Sequence, residues 1–421
     1  MRTFNVFFAG TIAAIVSIVA MAPSNSAYAA HARHPSQTRP ARHAPASQPA
    51  ASVPLSSIHV FGDHPAPFAL DAKAAMLIDA RTGAVLYSYN EHQKMQPASL
   101  AKIMTFYLAL EALDQKRITL DTQATISEAA WRLSMDESVS RMFLGVGQKV
   151  PVQQLLYGLM VSSGNDAAIA LAEYLGGSSD GFTTQMNEKA RQLGLDETHF
   201  ANPDGLPAEN EYTTASDMVK LGRALLTRFP NATTYTGARE YTFDKITQRN
   251  FNTLLFYDPR VNGIKTGHVA EAGFHLVASA NAEGMSLISA VMGSTSMEKR
   301  RVETKKLLDW AFRTFATAHP DLSKIVPSAM PVYQGVVDSV KIGPASDSYV
   351  TVERGKENAV TASYAPKAKY LVAPVAKGDA VGEITVMQDG KPIATIPAVT
   401  DAAVARGGFL KRLRDRIRLM L

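Results

Sequence analysis

Ser99-Leu100-Ala101-Lys102, two residues after Pro97, opens a run to residue 113 with apolar side chains at Leu100, Ile103, Tyr107, Leu108 and Leu110, the spacing of a helix. Pro97 and Ser99 both suit a helix start. Residues three apart on a helix face the same side, so the Ser99 hydroxyl and the Lys102 amine are placed to meet. A serine hydroxyl is a weak nucleophile until a base removes its proton, and a desolvated lysine beside other cations can be neutral enough to act as that base. Backbone N–H groups at a helix N-terminus add positive potential where an oxyanion would develop. Ser99 is therefore the candidate nucleophile and Lys102 the candidate base. Alone, S-x-x-K fixes only two positions, and an isolated match favours a polar pair capping the start of a structural helix.

Two later blocks change that balance. Ser163-Gly164-Asn165 lies between helical runs at residues 153–160 and 166–175 and reads as a turn joining two helices. There Ser163 could relay a proton to a leaving amine, and Asn165 could hold a substrate amide. Lys265-Thr266-Gly267 falls at the end or edge of a strand, in a stretch of strand pairs turned by Asn281-Ala282-Glu283-Gly284. Lys265 and Thr266 offer a cation and a hydroxyl to a carboxylate, and Gly267 allows a substrate backbone close approach. Upstream, residues 74–79 and 84–89 form a hairpin about Ala80-Arg81-Thr82-Gly83, and a helix over residues 300–317 closes the unit. These elements predict an α/β (α+β) domain with helices around an antiparallel sheet and a helical subdomain.

The ends of the chain read differently. Arg2, an apolar stretch over residues 7–21 and Ala27-Tyr28-Ala29 predict an export signal at residues 1–29, too short in its apolar part to cross a bilayer. Residues 30–67, rich in Ala, Pro, Ser, His and Arg, predict a flexible leader, and its five histidines specify no metal geometry. Catalysis as read needs no metal or cofactor. The absence of cysteine excludes disulfides, thiolate catalysis and cysteine-based zinc sites. The net charge of +5 comes from the ends, since the first fifty residues carry +4, the segment from Arg406 carries +5 and the body carries −4. Nucleic-acid binding by the body is not implied.

Residues 68–320 are predicted as the catalytic domain and 321–403, with short alternating strands and Gly or Pro turns, as a β-sandwich. The tail, residues 404–421, places Leu410, Leu413, Ile417, Met420 and Leu421 on one helical face with basic residues elsewhere. At about 1.5 Å per residue, residues 409–421 reach roughly 20 Å, too short to span, and suit the interface of an anionic membrane.

The ordered blocks resemble those of low-molecular-mass penicillin-binding proteins, the D-alanyl-D-alanine carboxypeptidases with a second β-domain and an amphipathic C-terminal anchor. Asp79-Ala80-Arg81-Thr82-Gly83, Asn202-Pro203-Asp204-Gly205-Leu206, His268 after the K-T-G block, and Arg300 ahead of Lys305-Lys306-Leu307-Leu308 extend the resemblance over residues 68–421. It implies acylation of Ser99 by the penultimate D-alanine carbonyl of a peptidoglycan stem peptide, release of terminal D-alanine, and hydrolysis. It also implies oxyanion donors at the backbone N–H groups of Ser99 and His268, carboxylate binding by Arg300, acylation by β-lactam antibiotics, and a peripheral location on the periplasmic face of the cytoplasmic membrane. Some family members carry a histidine where this chain has Asp204, which bears on deacylation.

A class A β-lactamase would carry a glutamate in an E-x-x-L-N loop between the second and third blocks, and no such loop occurs, although Glu197, Glu209 and Glu211 lie in the interval. A penicillin-binding DD-endopeptidase would differ mainly in substrate, and resembling proteins of that type generally lack the β-domain and anchor. A catalytically silent wall-binding scaffold is disfavoured by intact Ser99, Lys102, Ser163 and Lys265.

Overall fold

The computed structural model describes residues 58–63 and 67–420. The export signal and nearly all of the leader lie outside them. The exception corrects the leader's predicted boundary: β1 (His59–Val60) is an edge strand paired with Tyr87 and Ser88, and Ile58 and Val60 are buried.

The central sheet takes five further strands: β2 (Ala74–Asp79), β3 (Val85–Tyr89), β4 (Val261–Val269), β5 (Gly273–Ala282) and β6 (Met285–Ser294). They are ordered β1-β3-β2-β6-β5-β4, and each pairing is antiparallel. The predicted hairpin and the strand pairs around K-T-G are therefore one sheet. Glu283 and Gly284 both have positive φ (49° and 78°) in the β5–β6 turn, the geometry that matches strand twist and favours Gly.

Both faces of the sheet are covered. One carries α1 (Lys102–Asp114), α2 (Glu128–Met135), α3 (Val152–Met160), α4 (Asn165–Gly176), α5 (Ser179–Gln192) and α6 (Ala215–Arg228), whose apolar side chains share a single cluster. Helix α1 is apolar almost all round, and eleven of its residues are buried, as a helix enclosed by other helices must be. The opposite face is covered by α7 (Met297–Thr314), which packs Leu307, Leu308, Ala311 and Phe312 against Leu77, Leu276 and Leu287. Ser127, Ser178, Thr214 and Ser296 each cap a helix by accepting a backbone N–H three residues on, a contact typically worth about 1 kcal/mol.

The helix predicted over residues 300–317 starts and stops earlier. Residues Phe315–Ala318 form a strand paired with Val350–Glu353, because extended partners from the following unit capture a segment that contains no helix breaker. Beyond it, a six-stranded sheet runs Val360–Pro366, Ala380–Gln388, Lys391–Thr400, Ser339–Pro344, Ala329–Tyr333 and Leu371–Val372, parallel only at its last pair. This sheet and the two-stranded pair face a common apolar cluster that includes Ala316, Val352, Ile384 and Ala398, giving the layered β unit expected from the sequence. Its joint to the catalytic sheet is Asp79, which accepts the hydroxyls of Thr317 (2.6 Å) and Thr351 (2.9 Å) and the Arg81 N–H.

The tail forms α8 (Phe409–Met420). Phe409, Leu410, Leu413, Ile417 and Met420 are exposed, while Asp415 is buried and accepts the Gln334 N–H (2.8 Å) and the Lys411 ammonium (2.7 Å). Leu421 lies outside the described residues.

Candidate active site

Ser99 sits in a 3-10 turn, Ala98–Ala101, that runs directly into α1, so the predicted helix start is a tighter turn followed by the helix. Ala98 is held at φ 51°, a left-handed conformation costly for a residue with Cβ, and the surrounding chain fixes it there. A Cβ on Gly205 would lie 1.9 Å from the Ala98 carbonyl oxygen, and one on Gly267 3.0 Å from that of Pro97. The Asn202–Leu206 loop and the K-T-G strand thus grip the turn from two sides, the first at a distance only glycine permits and the second at one a side chain would crowd. Asn202 itself is fixed by the Gly205 N–H and the Leu206 carbonyl.

One turn along, the Lys102 ammonium donates to Ser99 Oγ (3.0 Å), Asn165 Oδ1 (2.5 Å) and the Asp204 carbonyl (2.5 Å). It is fully buried, and burial lowers it from 10.5 to about 8 against the opposing pull of the Asp204, Asp166 and Glu211 carboxylates. Asp204 and Glu211 are buried too, and desolvation raises both carboxyls, that of Glu211 to about 8. A lysine in this condition reaches its neutral, proton-accepting form near neutral pH.

Ser163 has φ 58° in the turn between α3 and α4, and Asn165 is the first residue of α4. The next residue organises the wall of the site. Asp166 accepts the Ser134 hydroxyl (2.6 Å), the Met142 N–H (2.9 Å) and the Leu144 N–H (3.3 Å), while the Asn165 N–H donates to the Ser140 carbonyl. These bonds pin residues 138–144 beside the Ser163 turn.

Ser99, Ser163, Asn165, Thr266, Gly267, His268 and Arg300 line one cavity of about 300 Å³. The structure thus brings together seven of the nine residues expected from the sequence at its surface. Lys102 lies beneath it through its contacts to Ser99 and Asn165. Lys265 is buried, donates to the Thr266 carbonyl (3.1 Å), and is driven well below its usual range by burial and then by the positive charges of Lys102 and Arg300. The Ser296 cap of α7 places Arg300 in its first turn, where the guanidinium donates to the Gly267 and His275 carbonyls (3.2 Å each). Burial lowers Arg300 to about 10, still charged at neutral pH. The exposed His268 ring stacks on Phe274 with centroids 4.0 Å apart.

His275 was not singled out by the sequence. It is fully buried on β5; its Nδ1 accepts the Gly293 N–H (2.9 Å), so the proton sits on Nε2, which donates to the Gln96 carbonyl (3.2 Å). This bond ties the segment before the Ser99 turn to the sheet. Asp166, directly after S-G-N, and His275, in the strand after K-T-G, were signalled only by their proximity in sequence to those blocks.

The family profile described as D-alanyl-D-alanine carboxypeptidase matches residues 61–296, and that of the penicillin-binding protein 5 C-terminal domain matches residues 323–406. The chain belongs to the D-alanyl-D-alanine carboxypeptidase family. It is similar to D-alanyl-D-alanine carboxypeptidase DacA of Escherichia coli (strain K12), with 39% identity over 83% of this chain and 88% of that protein. The solved penicillin binding protein 5 from Haemophilus influenzae superposes with a TM-score of 0.72 at 38% identity, covering 81% of this chain and 99% of that one. A mutant of the Streptomyces K15 DD-transpeptidase gives 0.55 at 32% identity, covering 98% of its own length but 58% of this chain.

Proposed function

We propose that this protein is a serine D-alanyl-D-alanine carboxypeptidase that trims peptidoglycan stem peptides and is acylated by β-lactams, with Ser99 as nucleophile and Lys102 as its base. The observation that carries the assignment is the fully buried Lys102 ammonium, 3.0 Å from Ser99 Oγ and lowered to about 8. Neutral Lys102 takes the Ser99 proton as Oγ attacks the penultimate D-alanyl carbonyl. The backbone N–H groups of Ser99 and His268 are the assigned oxyanion donors. Ser163 relays the proton to the leaving nitrogen, the C–N bond breaks, and D-alanine departs. Lys265, Thr266 and Arg300 hold its carboxylate, and Asn165 orients both the substrate amide and Lys102. Water then cleaves the Ser99 ester, restoring the free hydroxyl.

Brief exposure of the protein to benzylpenicillin, read by intact mass, should give one adduct, and Ser99→Ala none, with D-alanine release from a pentapeptide lost in parallel. A full-size adduct on Ser99→Ala refutes the assignment.

The tail supports placement at a membrane. Among the described residues no helix is long and apolar enough to cross one. The exposed apolar face of α8 and its basic flank instead suit a helix lying in an anionic interface on the periplasmic side of the cytoplasmic membrane. Removing the residues after Gly407 should release an active enzyme from vesicles containing anionic lipid.

A further inference from the structure

The tail helix is not a free arm. Its buried Asp415 accepts the Gln334 N–H (2.8 Å) and its Lys411 donates to Asp338 (2.5 Å), while the Gly407 N–H donates to the Gln334 carbonyl and the Val336 N–H to the Ala405 carbonyl. These bonds clamp α8 to the turn between the strands Ala329–Tyr333 and Ser339–Pro344. At about 100° per residue, Asp415 and Lys411 lie opposite the stripe of Phe409, Leu410, Leu413, Ile417 and Met420, so the clamp leaves that stripe exposed. The turn itself adds Val336 and Val337, both exposed, and a neighbouring segment adds Tyr370 and Val372. Tyr370 stands edge-on to Tyr333 with ring centroids 5.0 Å apart, and Val372 pairs with Tyr333, so the two segments are adjacent. Among the described residues of the β unit, four of the five exposed large apolar side chains are therefore at this end, and only Ile393, beside the Asp389–Gly390 turn, is not. Positive charge gathers here as well, since residues 333–341, 366–380 and 400–420 hold ten basic and four acidic residues. The opposite end of the unit meets the catalytic sheet, where Arg354 pairs with Glu283 of the β5–β6 turn (2.5 Å).

We propose that this end of the β unit is itself a lipid-contacting surface, with the turn at Val336 and Val337 and the segment at Tyr370 and Val372 entering the interface of an anionic bilayer beside α8. This rests on the membrane reading of α8 given above and extends it from one helix to a composite face. An interfacial helix sinks about 5–10 Å into the boundary between headgroups and acyl chains, a depth that brings side chains flanking it among the headgroups. The valine methyls then leave water, and the tyrosine takes the position that its apolar ring and polar hydroxyl favour. The basic excess draws the face to anionic headgroups and repels a second copy of itself, which favours lipid over self-association. Because the clamp fixes α8 to the turn, contact at both sets the tilt of the β unit. Its strands Ala380–Gln388 and Lys391–Thr400, nine and ten residues long, span about 30 Å, so the catalytic sheet is held at a height of that order above the bilayer.

The chain has no cysteine, so one introduced thiol labels one position. Val337→Cys, Leu413→Cys and Ile393→Cys, each carrying an NBD fluorophore, are mixed with vesicles of phosphatidylcholine and phosphatidylglycerol that contain a nitroxide-labelled lipid. The labels at positions 337 and 413 should shift to the blue and be quenched, and the label at 393 should stay as in water. In unlabelled protein, Val336→Ser combined with Val337→Ser should weaken vesicle binding by about tenfold, the order expected for two valines lost from the interface. Benzylpenicillin acylation and circular dichroism of that variant should match the native protein, which verifies its fold. A label at 413 that enters lipid while the one at 337 stays in water overturns the composite face and leaves the α8 anchor intact. Absence of lipid contact at both positions removes the anchor reading as well. Equal quenching at 337 and 393, or vesicle binding indifferent to the double variant, overturns the contact at the turn.

Discussion

The base assignment to Lys102 makes a quantitative demand on pH. At about 8, roughly 9% of Lys102 is neutral at pH 7, against about 0.03% for a lysine at 10.5, so its burial makes the reactive form about 300 times more abundant. The second-order acylation rate with benzylpenicillin should therefore rise about fifty-fold between pH 6 and pH 8 and level off above. Stopped-flow or quenched intact-mass kinetics measure this directly. Glu211 supplies a control on the cause, because its carboxylate is one of the charges that raise Lys102. Removing that charge with Glu211→Gln should move the inflection to lower pH. Glu211 is itself pushed up to about 8, so the wild-type inflection belongs to the coupled pair, and the variant should also titrate more simply. A rate that is flat from pH 6 to 8, or still climbing tenfold per pH unit at pH 9, would refute a neutral Lys102 base.

Other positions give equally concrete outcomes. Gly205→Ala places a methyl group 1.9 Å from the Ala98 carbonyl at φ 77°, so it should displace the Ser99 turn and lower the acylation rate by more than about a hundredfold while circular dichroism stays near native. His275 is lowered to about 4 chiefly by burial, so between pH 4 and 6.5 the unfolded chain binds the extra proton. Stability due to its neutral form is complete above about pH 6.5 and lost as pH falls to 4, on the order of 3 kcal/mol, and His275→Asn should flatten that part of a Tm-against-pH curve. Asp79→Ala removes the acceptor of the partly buried Thr317 hydroxyl and one of the two partners of the buried Thr351 hydroxyl, which keeps Thr82 Oγ1 at 2.6 Å, and should cost about 1 kcal/mol in denaturant unfolding, whereas Asp79→Asn, which still accepts, should cost less.

Much of this site was legible because its central pair is local. Ser99 and Lys102 are three residues apart on consecutive helical turns, and that spacing alone predicted their contact. The strands around K-T-G and the helices flanking S-G-N carried strong periodicity, so the sheet and the helical layer followed. What escaped was set by tertiary approach. Gly205 is critical because Ala98, more than a hundred residues earlier, presses on it, and nothing in N-P-D-G-L announces that. His275 resembles any polar residue at a strand start until Gln96 and Gly293 are seen on its two ring nitrogens. Strand β1 is two residues long, too short to alternate, and so merged with the leader. Residues 315–318 continue a helical pattern in sequence and become a strand only because Val350–Glu353 offers an edge.

The electrostatics of the site explain why three cations are buried together. Lys102, Lys265 and Arg300 are each lowered first by burial, and Lys265 is lowered further by the other two. Such an arrangement costs folding stability, since each charge loses hydration and Lys265 gains a repulsive neighbour on either side. A ligand carboxylate beside Thr266 and Arg300 supplies the counter-charge, so part of this unfavourable energy is released on binding and favours anionic ligands over neutral ones. The same negative charge also acts on Lys102 and must raise its pKa. Acylation measured at saturating benzylpenicillin should therefore inflect at a higher pH than acylation at limiting drug, which reports the free enzyme. Equal inflections would mean that the carboxylate sits too far from Lys102 to be felt, and the cation cluster would then have to be explained by structure rather than by substrate binding.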